Sequence, residues 1–403
     1  PELVCSSPVE GFGRFVEDAN ERGIDWEVEA NQQTGSCPYI PTALVAQDVD
    51  LDGDIDVAYN TRGGAPVLYW NQGNGIFERS QNVLPGLVAG RDLFSIAFVD
   101  THGDSYPELW AAGAGFLAWS TNLNGTSFSE WEIVYYQDDY PLDCHASIGF
   151  GDIDSDGDLD IALPGVDQAP YEGHVMSEMS SEWLPSFDRL FLNTDGAFQE
   201  IAQLSPAGDP ALSLLQVFTD RDVDGDLDLL STTDRAFGLP PQAFHRNDGP
   251  DEQGLPILVN DAPAIGADLT AAAMGLASHD FNEDGRPDYC VTDVSHKLTC
   301  MLSSKDGYYE AAEAMGLVST KTLHPELPPD WEQRSQNFFE SIWVSWGLAM
   351  VDWDNDGNID AAAVAGPTPD KGNVYHSFLH GWQPDWIWKG TADGLFMEAI
   401  QET

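Results

Sequence analysis

Asp48-Val49-Asp50-Leu51-Asp52-Gly53-Asp54-Ile55-Asp56 places a carboxylate at every odd position of a nine-residue loop, with glycine at position six. The same frame recurs as Asp152-Ile153-Asp154-Ser155-Asp156-Gly157-Asp158-Leu159-Asp160 and Asp220-Arg221-Asp222-Val223-Asp224-Gly225-Asp226-Leu227-Asp228. Two further copies depart slightly, Asp280-Phe281-Asn282-Glu283-Asp284-Gly285-Arg286-Pro287-Asp288 and Asp352-Trp353-Asp354-Asn355-Asp356-Gly357-Asn358-Ile359-Asp360. A sixth, Asp100-Thr101-His102-Gly103-Asp104-Ser105-Tyr106-Pro107-Glu108, keeps the spacing but carries His at position three and Ser at position six. The first residues of consecutive loops are 52, 52, 68, 60 and 72 positions apart. A frame held at such intervals marks a structural repeat, because composition alone would scatter the acids.

The surroundings repeat as well. An alternating stretch precedes each loop, as in Ile96-Ala97-Phe98 or Leu348-Ala349-Met350, and another follows, as in Val57-Ala58-Tyr59 or Ile161-Ala162-Leu163. Val67-Leu68-Tyr69-Trp70-Asn71 and Leu190-Phe191-Leu192-Asn193 form a third, and Phe77-Glu78, Phe198-Gln199 and Phe396-Met397 start a fourth after a glycine turn. Period-two alternation in four short runs per repeat predicts an all-β chain folded as a β-propeller of four-stranded blades. Six loops predict six blades, and the roughly 90 residues linking the last loop to the first through the termini leave seven open. Residues 1–403 read as one propeller domain, with residues 1–42 as an N-terminal closing segment that includes the strand-like Gly13-Arg14-Phe15-Val16-Glu17.

Calcium takes six to eight hard oxygen ligands in flexible geometry, and carboxylates at positions one, three, five and nine can wrap one ion. Glycine at position six permits the sharp turn, and position seven offers its backbone carbonyl. The expected ligand sets are Asp48, Asp50, Asp52, Asp54 and Asp56; Asp152, Asp154, Asp156, Asp158 and Asp160; Asp220, Asp222, Asp224, Asp226 and Asp228; Asp280, Asn282, Asp284 and Asp288; and Asp352, Asp354, Asp356 and Asp360. The loop holding Asp100, Asp104 and Glu108 is expected to be weak or empty, since His102 is a poor calcium ligand and Ser105 lacks the freedom of glycine. Without an ion the carboxylates would repel at short range, so calcium should stabilise the blades.

These loops and their flanking strands resemble the FG-GAP or VCBS repeat family, calcium-loop propeller repeats also found in integrin α-chain heads. Gly347-Leu348-Ala349-Met350-Val351-Asp352 and Tyr309-Glu310-Ala311-Ala312-Glu313-Ala314-Met315-Gly316-Leu317 look like its cartilage-acidic-protein and ASPIC/UnbV-type branch. The resemblance implies fold and calcium, while propellers of this kind carry adhesion, sugar binding and catalysis alike.

With 68 acidic against 16 basic residues the formal charge is −52, which repels nucleic acid and anionic lipid. Hydrophobic content of 42% and 13 Trp place that charge on a folded body. No apolar run approaches the length of a spanning helix, and the chain reads as a processed mature protein, secreted or at the cell surface. Cys290 and Cys300 flank a turn in two short apolar stretches, so a cross-strand disulfide and an oxidising compartment are expected; Cys5 with Cys37 is a second pairing that leaves Cys144 odd.

Extra sequence falls in connections assigned to the blade ends away from the acidic loops, chiefly residues 164–188, 319–345 and 365–386. These insertions are aromatic, and Trp183, Trp331, Trp343, Trp382 and Trp386 are the expected ligand-binding residues, by stacking on sugar rings or anchoring a protein. His376 and His380 stand four apart with no Glu between them as a metalloprotease helix would require, and no G-x-S-x-G or phosphate-binding glycine motif is present. The sequence therefore favours an extracellular adhesion or binding module for a glycan or protein, with a glycan-degrading hydrolase or lyase and a structural subunit of a surface assembly as alternatives.

Overall fold

The computed structural model describes residues 18–25, 43–60, 64–81, 83–138, 143–166, 187–203, 213–233, 241–293, 297–318, 344–365 and 385–398. The chain is a six-bladed β-propeller, each blade a four-stranded antiparallel sheet with its strands side by side in chain order. The first blade holds β1 (Leu44–Gln47), β2 (Asp56–Asn60), β3 (Pro66–Asn71) and β4 (Phe77–Arg79), and the second β5 (Leu93–Val99), β6 (Glu108–Gly113), β7 (Phe116–Ser120) and β8 (Glu132–Tyr136). The third holds β9 (Gly149–Gly151), β10 (Asp160–Leu163), β11 (Arg189–Thr194) and β12 (Ala197–Gln203), and the fourth β13 (Ser213–Thr219), β14 (Asp228–Thr233), β15 (Ala243–Pro250) and β16 (Pro256–Asn260). The fifth holds β17 (Leu276–His279), β18 (Asp288–Val291), β19 (Thr299–Ser304) and β20 (Gly307–Glu310), and the sixth β21 (Ser345–Val351), β22 (Asp360–Ala365), β23 (Trp386–Gly390) and β24 (Phe396–Glu398). Every acidic loop joins the first and second strands of its blade, and position nine is in each case the first residue of the second strand.

The chain separates into two compact units, one of Val16–Phe218 with Asn247–Ile257 and the other of Pro1–Phe15, Thr219–Arg246 and Leu258–Thr403. Within the first, Leu68 and Ala58 of the first blade, with Val88 of the connection that follows it, pack against Leu93, Phe98, Leu109 and Phe116 of the second. Trp110 and Leu117 of the second blade then meet Ile161, Leu163 and Phe191 of the third. All six residues of β6 are buried, which explains its Ala111 and Ala112: a strand covered on both faces needs apolar side chains small enough for its neighbours to approach. Within the second unit, Cys290, Cys300 and Leu302 pack against Ala361, Ala363, Trp386 and Trp388.

Cys290 and Cys300 sit opposite each other in the β18–β19 ladder and form a disulfide with Cα atoms 4.0 Å apart. Cys144 is disulfide-bonded as well, from a buried position whose backbone bridges Ala114 and Val166. The expectation of an odd Cys144 beside a Cys5–Cys37 pair is thereby overturned; Cys5 and Cys37 lie outside the described residues. So do Gly13–Glu17 and most of residues 1–42. The described part of that segment, residues 18–25, is a turn whose Arg22 carbonyl accepts the Phe77 N–H at 2.7 Å and whose Asp25 carboxylate accepts the Tyr69 hydroxyl at 2.7 Å.

Candidate metal centres

The five glycine-containing loops share one hydrogen-bond pattern. The position-one carboxylate accepts the amide of position six, at 3.0 Å from Gly53, 3.0 Å from Gly157, 3.1 Å from Gly225, 2.8 Å from Gly285 and 2.8 Å from Gly357. The position-five carboxylate accepts the amide of position seven at 2.9 to 3.0 Å. These bonds wind the loop around its own carboxylates, and two left-handed residues make the winding possible. One is the glycine, with φ between 85° and 100°; the other is position four, occupied by Leu51, Ser155, Val223, Glu283 and Asn355 at φ 56° to 64°. The second has no signature in the residue types, because none of these side chains except Asn355 favours that region.

Position nine does something other than simply complete a ligand set. In the first, third, fifth and sixth blades its carboxyl is buried and both oxygens accept backbone amides. Asp160 takes Ile153 N–H at 2.8 Å and Asn193 N–H at 2.8 Å; Asp56 takes Val49 at 3.0 Å and Asn71 at 2.8 Å; Asp360 takes Trp353 at 3.0 Å and Gly390 at 2.9 Å. Asp288 takes Phe281 at 2.7 Å and Ser303 at 2.6 Å. Each such residue thus ties the start of its loop to the third strand. Desolvation by burial pushes Asp56 up to about 6 and Asp160 up to about 7, and raises Asp288 and Asp360 in the same direction.

Five groups of acids bring ligand oxygens within 4.8 Å of one another: Asp48, Asp50 and Asp56; Asp100, Asp104 and Glu108; Asp152, Asp154 and Asp160; Asp220, Asp222 and Asp224; and Asp352, Asp354 and Asp356. Three of the loops also hold a buried carboxylate oxygen with no hydrogen-bond partner, Asp48 Oδ1, Asp154 Oδ1 and Asp222 Oδ1. A buried anionic oxygen without a donor is costly unless a cation meets it, so these three loops fit a hard, oxygen-seeking ion such as calcium. Burial, followed by the charge of the neighbouring acid, raises Asp50, Asp154 and Asp222 above the ordinary carboxylate range. Asp52, Asp54, Asp156, Asp158, Asp226, Asp228 and Asp360 stand outside the five groups; Asp158, for one, turns aside to accept the Asp195 amide at 2.7 Å.

The remaining loops differ from this pattern in separate ways. In the second blade Asp100, Asp104 and Glu108 converge as well. His102 is turned onto Glu108, with Nδ1 at 3.1 Å, and its ring lies 4.5 Å from that of Trp119, while Ser105 adopts φ 80° in the place of glycine. In the fifth blade no three acids converge among the described residues. There the Asn282 amide donates to Ser303 O at 2.8 Å, and the Ser303 hydroxyl donates to Asp284 Oδ1 at 2.9 Å. In the sixth blade the Lys389 ammonium contacts Asp354 Oδ2 and stands 3.1 Å from Asp356 Oδ2; Asp356 is held below the usual carboxylate range by the Asn358 amide and by Lys389.

Away from the acidic loops, two insertions between second and third strands are each pinned by an aspartate at their end. Asp188, just before β11, accepts Gly165 N–H at 2.8 Å and the Ser213 hydroxyl at 2.9 Å, and burial pushes its carboxyl up to about 6. Asp385, just before β23, accepts Ala365 N–H at 2.9 Å. Connections between second and third strands leave a blade at the end opposite its acidic loop, as an antiparallel sheet requires. Trp183, Trp331, Trp343 and Trp382 lie outside the described residues. Trp386 does not: it is 2% exposed, in β23, packed edge-on to Trp388 at 5.5 Å between ring centroids. It is a core residue rather than an exposed stacking platform, because an aromatic at the start of a third strand points into the packing between blades.

Residues 48–111 match the FG-GAP-like repeat family, which covers the first acidic loop, the second and the strands between them. No curated protein matches this chain in sequence. Among solved structures, the chain is similar to an Agrocybe aegerita lectin described as recognising non-reducing terminal N-acetylglucosamine, at 14% identity and TM-score 0.48 over 89% of this chain and 79% of that one. It is similar also to Saccharomyces cerevisiae Sqt1, at 10% identity and TM-score 0.42 over 91% of this chain and 97% of that one. Likenesses of this size carry no argument about ligand or activity. The six four-stranded sheets make the chain a six-bladed β-propeller, and residues 48–111 within it match an FG-GAP-like repeat.

Proposed function

We propose that this propeller is a calcium-stabilised extracellular binding module that recognises a glycan or protein through its aromatic insertions. The observation that carries the calcium part is the buried, unpartnered oxygen in three loops wound alike: Asp48 Oδ1, Asp154 Oδ1 and Asp222 Oδ1. Asp48, Asp50 and Asp56, Asp152, Asp154 and Asp160, and Asp220, Asp222 and Asp224 would hold the ions. Calcium supplies charge neutralisation there, letting a loop wound around its own acids persist. The Cys290–Cys300 disulfide supports an extracytoplasmic location.

The binding part is supported by where sequence has been added. Insertions of unequal length leave a regular scaffold at the blade ends away from the acidic loops, two of them from bases fixed by Asp188 and Asp385. Variable loops on a rigid frame are where recognition resides, and Trp183, Trp331, Trp343 and Trp382 give these loops large rings that cost little entropy to place. A glycan array run in calcium tests the reading. Binding is expected in calcium and lost when Trp331, Trp343 and Trp382 are replaced together in a chain that still melts like the parent. Binding that survives that triple change would place the ligand elsewhere; turnover of the bound sugar would make the module an enzyme.

A further inference from the structure

The six acidic loops are not equivalent, and the difference comes from the third strand. In the sixth blade Ala361 pairs with Trp388, so Lys389 follows directly beside position nine of the loop, Asp360. Its ammonium reaches into the carboxylate group, touching Asp354 and standing 3.1 Å from Asp356 Oδ2. Asp354 itself is 5% exposed, so the contact is sheltered. The corresponding residues in the first and third blades follow Tyr69 and Phe191 in the same register and are Trp70 and Leu192, which bring no charge. The fourth blade has Arg246 beside its loop, but that guanidinium pairs with Asp261 at 3.1 Å. Its charge and that of Arg221 still reach Asp222, but neither gives a hydrogen bond to Asp222 Oδ1, which is buried within the Asp220, Asp222 and Asp224 group.

We infer that Lys389 is a built-in cation that closes the Asp352–Asp360 loop, so that this loop does not take calcium while those at Asp48, Asp152 and Asp220 do. An ammonium among three carboxylates supplies the charge and the donors that an ion would otherwise bring, and a divalent ion could enter only by expelling it into a field of fixed acids. Closing one loop with the charge of a side chain makes the sixth blade independent of calcium concentration. Its neighbour shows a milder version of the same device, since the third-strand Ser303 hydroxyl and the Asn282 amide occupy the Asp280 loop with hydrogen bonds. This inference rests on the calcium reading of the other loops.

The test is a count of ions. Chelator-stripped wild-type chain, Lys389→Met and Asp354→Asn are each titrated with calcium by calorimetry and equilibrium dialysis. Lys389→Met keeps the length and packing of the side chain and removes its charge, and is expected to bind one ion more than wild type. Asp354→Asn in the wild-type background is expected to leave the count unchanged, and in the Lys389→Met background to remove the gained ion. Wild type that binds calcium with no gain in Lys389→Met overturns the inference alone, as does a loss of one ion in Asp354→Asn. Wild type that binds no calcium overturns the reading of the other loops as well.

Discussion

Position nine is where each loop stops being a ligand set and becomes part of the sheet. Asp160 has no exposure and holds two backbone amides, so Asp160→Ala should orphan the Ile153 and Asn193 N–H groups in the interior. At about 1–3 kcal/mol for each buried donor left unmade, a loss of roughly 3 kcal/mol is expected in urea unfolding at saturating calcium. A loss no larger than that of an exposed Asp→Ala change would mean the carboxylate serves only the ion. Val223 carries the opposite signature. A β-branched residue at φ 61° is strained, and Val223→Asn should raise stability by about 1 kcal/mol without altering the calcium count. His145 gives a pH effect. It is fully buried, its Nδ1–H donates to Pro164 O at 3.0 Å, and desolvation holds its pKa down at about 4 against the ordinary 6.5. The folded chain keeps it neutral where the unfolded chain would protonate it. That stability is present above pH 6.5 and is lost as pH falls from 6.5 towards 4, at about 1.4 kcal/mol per pH unit. Asp143 and Arg189 face it with opposite effects, and raised acids such as Asp188 titrate in the same region, so the difference between wild type and His145→Gln is the measurement to make. A difference that stays constant from pH 7 to 4.5 would rule the mechanism out.

At the scale of strands and loops, the repeat frame was readable because calcium chemistry demands acids at fixed spacing and a sheet demands alternation. Each predicted blade is present, with its loop between first and second strands. What the sequence hid were contacts that depend on register. The asparagine near the end of a third strand is one: Asn193 Nδ2 donates to Leu159 O at 3.3 Å while its Oδ1 accepts Gly196 N–H at 2.9 Å, and Asn71 repeats this with Ile55 at 3.0 Å and Gly73 at 3.1 Å. Both asparagines read in the sequence only as residues of a third strand. Trp386 failed for the opposite reason. It lies at the end of a Trp-rich insertion, and composition cannot tell the last loop residue from the first strand residue. Lys389 was likewise invisible until β22 and β23 were paired. The third-strand asparagine is testable on its own: Asn193→Ala should cost about 1–2 kcal/mol by loosening the β11–β12 turn against the loop, with calcium affinity falling in parallel because Leu159 carries the loop's eighth position. Equal affinity in the variant would separate turn from ion site.

Across the whole molecule the governing quantity is a formal charge of −52, against which the fold has only 16 basic side chains and whatever cations it binds. Some of those bases are committed to fixed acids, as Arg189 is to Asp143 at 2.6 Å and Glu200 at 2.7 Å, and Arg221 to Asp261 at 2.7 Å. Calcium is therefore expected to act in two ways: it neutralises the three loops with unpartnered oxygens, and it lowers the repulsion among all the acids. The two contributions separate by salt. Chelation should lower the melting temperature strongly, since one site at a hundred times its dissociation constant contributes about 2.7 kcal/mol. Adding about 1 M sodium chloride to the chelated chain shrinks the screening length to about 3 Å and relieves the long-range part. It cannot satisfy Asp48 Oδ1, Asp154 Oδ1 or Asp222 Oδ1, which are buried. Salt should thus recover only a fraction of the loss, and calcium titrated back at that salt should recover the rest. Complete recovery by sodium chloride alone would show that the loops need only screening and hold no specific ion, and a melting temperature indifferent to chelation would remove calcium from the account of stability altogether.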